Sequence, residues 1–215
     1  MPGDLQNNTG KPYLRIVGGK IVQKVDKGTP KAKLREYELP NGTKGSKYEL
    51  VYNNWSGVIT NIVIKDTEYG EMCNIEFTDA ILSLGTSSRY FQDFACKVFS
   101  GDIKQEFLLH PYDMEVDTGR KSGISVQQNG EKLKNYFYDM EEKKSLHGFP
   151  EVDEEAKNTK NYWKKYFMDV EAFLVEKIKG LTFVPQAPTE ADDEKSDELD
   201  ELFNSVTPRT DDLPF

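Results

Sequence analysis

The sequence predicts a mainly β fold: a small antiparallel barrel, a helical extension behind it, and a charged, disordered C-terminal tail. Three observations carry this. Runs rich in Val, Ile and Tyr alternate with Gly, Asn and Pro turn signals along most of the chain. One short stretch in the middle switches from a period of two to a helical period. From Gln186 onward, 10 acidic residues stand against 2 basic ones, a local net charge of −8 in a chain whose total is −9. Like charges at that density repel, and the segment has too little apolar surface to offset the entropy of ordering it. The expected organisation is a flexible N-terminus over 1–10, a barrel domain over 11–150, a helical extension over 151–182 and the tail over 183–215.

Taken in order, Tyr13–Val17 and Lys20–Val25 read as two strands joined by Gly18-Gly19, a pair that supplies positive φ for a tight hairpin. Alternation puts Leu14 and Ile16 on one face, and Lys11, Tyr13 and Arg15 on the other. Pro40-Asn41-Gly42 marks a turn. Lys47–Trp55 and Val58–Lys65 follow as strands broken at Ser56-Gly57, then Glu71–Phe77. Phe91, Phe94, Ala95, Val98 and Phe99 recur as a helical stripe, with Ser87 or Ser88 as cap and Gly101 as stop. Strand character returns at Lys104–His110 and is expected to end at Pro111. Gly119–Gly123 reads as a mobile basic loop. Ile124–Gln128 and Glu131–Asp139 flank Asn129-Gly130, a strong hairpin signal. A second helix is expected from Glu154 to Lys179, striped by Trp163, Tyr166, Phe167, Val170, Phe173, Leu174 and Ile178, with Gly180 as its stop. That stripe needs a surface to cover it, either the barrel or a second copy of the chain.

The acidic pI of 4.9 belongs to the tail, because residues 1–185 hold 26 bases and 27 acids. Lys11 to Lys47 contains ten bases and three acids, a local +7. No apolar run approaches the ~20 residues of a membrane span, and Met1–Asn8 lacks the apolar core of a secretion signal. Cys73 and Cys96 read as reduced, buried thiols of a cytoplasmic protein. With His110 and His147 they lack the close pairing of a structural zinc site, so no metal or cofactor is expected. Phosphate-cradling glycine loops, nucleophile elbows and zinc-protease helices are absent. The acids Asp66, Glu68, Glu71 and Glu76 fall short of a nuclease pattern, and no enzymatic activity is expected.

Binding residues are easier to nominate. Lys132, Lys134, Tyr136 and Tyr138 fall on one face if Glu131–Asp139 is a strand, leaving Leu133 and Phe137 for the core. Ammonium groups beside aromatic rings suit single-stranded nucleic acid, whose bases stack and whose phosphates attract cations. Tyr13, Arg15, Lys20, Lys24, Arg120 and Lys121 could extend the same groove. Trp55 is a further stacking candidate, with core packing as its more ordinary role. A half-buried aromatic ladder with a solvated basic rim would explain the same residues without any ligand.

The chain closes on Asp211-Asp212-Leu213-Pro214-Phe215, an apolar point beside the α-carboxylate at the end of the acidic stretch. This tail resembles that of bacterial and phage single-stranded DNA-binding proteins. The resemblance implies an OB-fold holding single-stranded DNA, and the order of strands, helix and strands agrees with that fold. It also implies that Asp211, Asp212, Leu213, Pro214 and Phe215 dock on replication, recombination and repair proteins in the cytoplasm of a bacterial host. A body longer than the family's usual OB domain suits a divergent phage-encoded member better than a host protein. The body matches no motif of that family. An interaction adaptor that carries the same tip and binds no nucleic acid is the alternative.

Overall fold

The computed structural model describes residues 10–38, 42–68, 70–117 and 119–183. The expected tail, its tip Asp211–Phe215, most of the flexible N-terminus and the Pro40-Asn41 turn lie outside the described residues. The strands are β1 (Tyr13–Val17), β2 (Lys20–Val25), β3 (Lys33–Glu38), β4 (Lys44–Tyr52), β5 (Trp55–Thr67), β6 (Gly70–Phe77) and β7 (Ile81–Gly85). Helix α1 (Arg89–Val98) follows, then β8 (Glu106–Val116), β9 (Gly119–Gln128), β10 (Glu131–Lys132), β11 (Tyr138–Asp139), β12 (Lys144–Ser145) and α2 (Tyr162–Lys179).

Ten strands form one sheet in the order β10-β9-β8-β5-β6-β7-β1-β2-β4-β3, and β11 pairs with β12 apart from it. All neighbours are antiparallel except β1 and β7. The fold is thus mainly β with a C-terminal helix, but the expected barrel is not closed. Strands β10 and β3 remain as edges, with no ladder joining them. The sheet nonetheless meets itself at one point. Gly18 and Gly19, at φ 54° and 71°, turn the β1–β2 hairpin. A Cβ on Gly19 would lie 2.5 Å from the Asp113 backbone nitrogen, so this tip abuts β8 without pairing to it.

Strand β5 is the corner of the sheet. Its first residues, Trp55–Val58, pair with β8, and Ile59–Thr67 pair with β6. Just inside the second run the register slips at Thr60, between Ile59 and Asn61, a bulge that bends the strand. The expected break at Ser56-Gly57 is therefore absent and falls at Asn53-Asn54 instead. Gly57 lies within the strand, paired with Phe107, and Phe77 packs over it 3.0 Å from where a Cβ would stand.

One sheet face forms the core. Leu14, Ile21, Ile59, Ile75, Phe77, Leu82, Phe107, Leu109, Ile124 and Val126 lie on it with Phe91, Phe94 and Ala95 of α1. Ser88 caps α1, its Oγ accepting from the Phe91 N–H at 3.2 Å, as its sequence suggests. In β8 the strand runs through Pro111, contrary to expectation. Its partner Ile124 turns its N–H to Asp93 Oδ2 (3.1 Å) and its carbonyl to Lys97 Nζ (2.5 Å), away from β8. The ladder needs no donor from position 111, so proline costs nothing there.

Helix α2 starts at Tyr162 rather than Glu154; residues 154–161 form turns, and Asn161 sits at φ 67°. Val170, Leu174 and Ile178 are buried, while Trp163 and Phe167, from the same stripe, remain 45% and 44% exposed. Gly180 ends the helix as anticipated, donating to the Glu176 and Lys177 carbonyls. No helix among the described residues is long and apolar enough to cross a membrane.

Candidate nucleic-acid interface

The registers of β1, β2, β4 and β3 decide which side chains share the face opposite the core. Arg15 pairs with Val22 and Val22 with Val51, while Lys24 pairs with Glu49, Glu49 with Lys33 and Arg35 with Lys47. Alternation along each strand then places Tyr13, Arg15, Lys20, Lys24, Lys33, Arg35, Tyr37, Lys47 and Glu49 on one surface. Six of these are cations and one is an acid. Arg15, Lys20, Lys24 and Lys33 are exposed, whereas Arg35, Lys47 and Tyr13 are half-buried. Strand β3 forms the outer edge, and every residue but Arg35 is exposed there.

The single acid is not a defect in this face. Glu49 is 1% exposed and accepts two hydrogen bonds from Arg35, from Nε at 2.7 Å and Nη2 at 3.1 Å. Lys47 Nζ stands 3.2 Å from Glu49 Oε1, the oxygen that Arg35 Nη2 also meets. Burial alone would raise the Glu49 carboxyl, but the bonds from Arg35 and Lys47 outweigh that and hold it below its ordinary value. Arg35 is pushed up, chiefly by its hydrogen bond to Glu49. Lys47 is pulled down, first by burial and further by the neighbouring Arg15 and Arg35 charges, against the pull of Glu49. Beside them lies Tyr37, with Lys47 Nζ 5.3 Å and Arg35 Cζ 6.0 Å from its ring centre, both within cation–π range.

The registers bring Tyr13, Arg15, Lys20 and Lys24 together, though not as an extension of a Lys132–Tyr138 groove. Lys20 also donates to Asn53 Oδ1 at 3.0 Å. The other nominated residues are not part of this face. Glu131–Asp139 is no continuous strand: β10 ends at Lys132, so Lys132, Lys134, Tyr136 and Tyr138 share no strand face. The Leu133 N–H returns to the Val126 carbonyl and the Tyr136 N–H bonds the Cys96 carbonyl, drawing the chain over α1. There Tyr136 stacks on His147 at 4.1 Å and meets Phe137 edge-on at 5.1 Å. Its ring is spent on packing. Tyr138 is half-buried in the β11–β12 pair, while Phe137 is buried as expected.

Arg120 and Lys121 lie in β9 rather than in a loop, and as strand neighbours they point to opposite faces. Arg120 is engaged by Asp113 through two bonds of 2.6 and 2.5 Å. Trp55 shares the core side with Leu109, its cross-strand partner, and meets Tyr52 edge-on at 5.2 Å. Its Nε1 is buried with no hydrogen-bond partner. Trp55 is half-buried and packs against the core, its more ordinary role.

Lys33, Arg35, Tyr37, Lys47 and Glu49 were missed as site residues. The basic run from Lys11 to Lys47 contained the cations, but Lys33–Glu38 carries charges at both parities and shows no apolar alternation. Only its pairing with β4 identifies it as a strand. Elsewhere, burial pushes the Cys73 and Cys96 thiols up to about 12, which leaves both protonated at neutral pH. Among the described residues no group of three or more His, Cys, Asp or Glu could hold a metal ion.

Searches of family models, curated proteins and solved structures return no match to this chain.

Proposed function

We propose that the protein is a non-enzymatic single-stranded DNA-binding protein, a divergent relative of the phage and bacterial family whose tail it resembles. The observation that carries this reading is the β1-β2-β4-β3 face, with six cations and two tyrosines opposite the core. Its cations draw in the phosphates and its rings offer stacking surfaces to unpaired bases, with little sequence preference. The partly coiled sheet with its hairpin tip against β8 would be an opened variant of the OB barrel. The tip Asp211–Phe215 would dock on replication, recombination or repair proteins, with Phe215 as the anchor and Asp211 and Asp212 reaching basic side chains.

The test is an electrophoretic shift with a labelled oligonucleotide across a salt series. For Z phosphates neutralised, log K falls against log salt with a slope of about −0.7Z, so four to six engaged cations give about −3 to −4. A flat salt response, or no shift at low salt, would leave the adaptor reading in its place. Removing Asp211–Phe215 should abolish partner docking and leave strand binding intact.

A further inference from the structure

We propose that the β3–β4 hairpin holds a one-nucleotide subsite, with a base stacked on Tyr37, the adjoining phosphate at Arg35, and buried Glu49 holding Arg35 in aim. This rests on the reading of the basic face as a single-strand interface. It adds that one place on that face distinguishes an unpaired base from a paired one.

The ring has a seat of its own. Tyr37 lies across its cross-strand partner Gly45 so closely that a Cβ there would stand 2.5 Å from Tyr37 Cζ and 2.6 Å from its hydroxyl oxygen. An aromatic laid on bare backbone has lost much of its freedom before any ligand arrives, so little entropy remains to be lost on stacking. Even so seated, Tyr37 is 38% exposed. The flanking Lys47 and Arg35 are cations beside an aromatic, the combination that a base and its phosphate require.

Glu49 supplies the orientation. Its two oxygens take Nε and Nη2 of Arg35 in a fork geometry, which fixes the guanidinium plane while the side chain stays 34% exposed. The same carboxylate restrains Lys47, so both cations are aimed before ligand binds. On the far side, Glu36, Glu38 and Lys44 line an open depression with Tyr37 and Gly45. Lys44 stands 4.0 Å from Glu38, yet the two carboxylates leave the depression net negative, so the strand backbone leaves Tyr37 on the Arg35 side. In that direction Lys33, Lys24 and Arg15 continue the cationic face. A duplex presents phosphates to those cations equally well, but its bases are already stacked on one another and cannot reach the Tyr37 ring.

The experiment compares three labelled ligands of equal length with full-length protein at one low salt concentration: an oligothymidine, an abasic strand and a duplex. Wild type should favour oligothymidine over the abasic strand by about 5- to 150-fold, the range for one stacked base. Tyr37→Leu should lose most of that preference while abasic affinity stays within about twofold. Gly45→Ala should do the same, because the new methyl lifts the ring from its seat with no change of charge. Glu49→Gln should raise abasic affinity by unmasking Arg35 and Lys47, yet shrink the preference for bases. Full preference retained in both Tyr37→Leu and Gly45→Ala overturns the subsite while the interface stands. Failure of wild type to bind any strand overturns both.

Discussion

Two regions of this chain alternate lysine or arginine with tyrosine, and they end in opposite roles. In Lys33–Glu38 the alternation sits on an edge strand paired residue by residue with β4, and Tyr37 stays exposed on the cationic face. Around Lys132–Tyr138 the ladder ends at Lys132 before the chain turns over α1, and Tyr136 packs face-on against His147 and edge-on against Phe137. Alternation specifies a face only where a neighbouring strand keeps the backbone extended. Without that partner, the same side chains follow whichever backbone hydrogen bonds capture the chain.

The largest test of this contrast is Phe137→Ala. Its ring is 1% exposed and contacts Phe99, Tyr136, Phe149 and Phe173. Denaturant unfolding should show a loss of about 3–5 kcal/mol. Tyr136→Ala should cost stability too, by less, and leave strand affinity alone. A Tyr136 variant that folds normally but binds strands weakly would restore the Lys132–Tyr138 face and break the comparison.

Next in size is the combined Arg15→Ala, Lys24→Ala and Lys33→Ala variant. Removing three cations from the β1-β2-β4-β3 face should make the salt slope shallower by about 2, at about 0.7 per cation. An unchanged slope would move the phosphate path elsewhere.

Glu49 ties the cationic face to the stability of the fold, and its sign can be worked out. Its folded pKa lies below its ordinary value of 4.5, so its contribution is complete above that value and fades as pH falls through the lowered one. Thermal melts of wild type and Glu49→Gln should therefore differ by a constant gap from neutral pH down to the ordinary value, then converge in more acidic solution. A gap that persists in strong acid would mean the Glu49 charge is not what holds Arg35 and Lys47.

The smallest expected effect is that of Lys132→Ala with Lys134→Ala. Both are exposed and stand off the cationic face, so the salt slope should stay within error of wild type in the same titration. A loss as large as that of the Arg15, Lys24 and Lys33 variant would make the two regions equivalent.

Much of the fold was legible because local rules decided it. The ends of β1 and β2 were read from Gly18-Gly19, the start of α1 from Ser88, and the Asn129-Gly130 hairpin from two residues that adopt φ 54° and 82°. Each depends on neighbours in sequence, where backbone sterics and capping bonds act without help from afar. The alternation that set Leu14 and Ile16 against Tyr13 and Arg15 also held, because β1 is paired along its length with β2.

What tertiary structure alone decided were the features set by distant partners. Strand β3 exists because β4 pairs with it, since its own pattern has charges at both parities. Pro111 stays inside β8 because Asp93 and Lys97 of α1 take the backbone groups of Ile124 opposite. Whether the sheet closes was equally beyond local reading: closure depends on registers and a bulge at Thr60 summed over ten strands, a quantity no window of sequence contains. The candidate site follows the same division. Charge in Lys11–Lys47 was countable from the chain, but Glu49, Tyr37 and Gly45 acquire their roles only when β3 lies against β4.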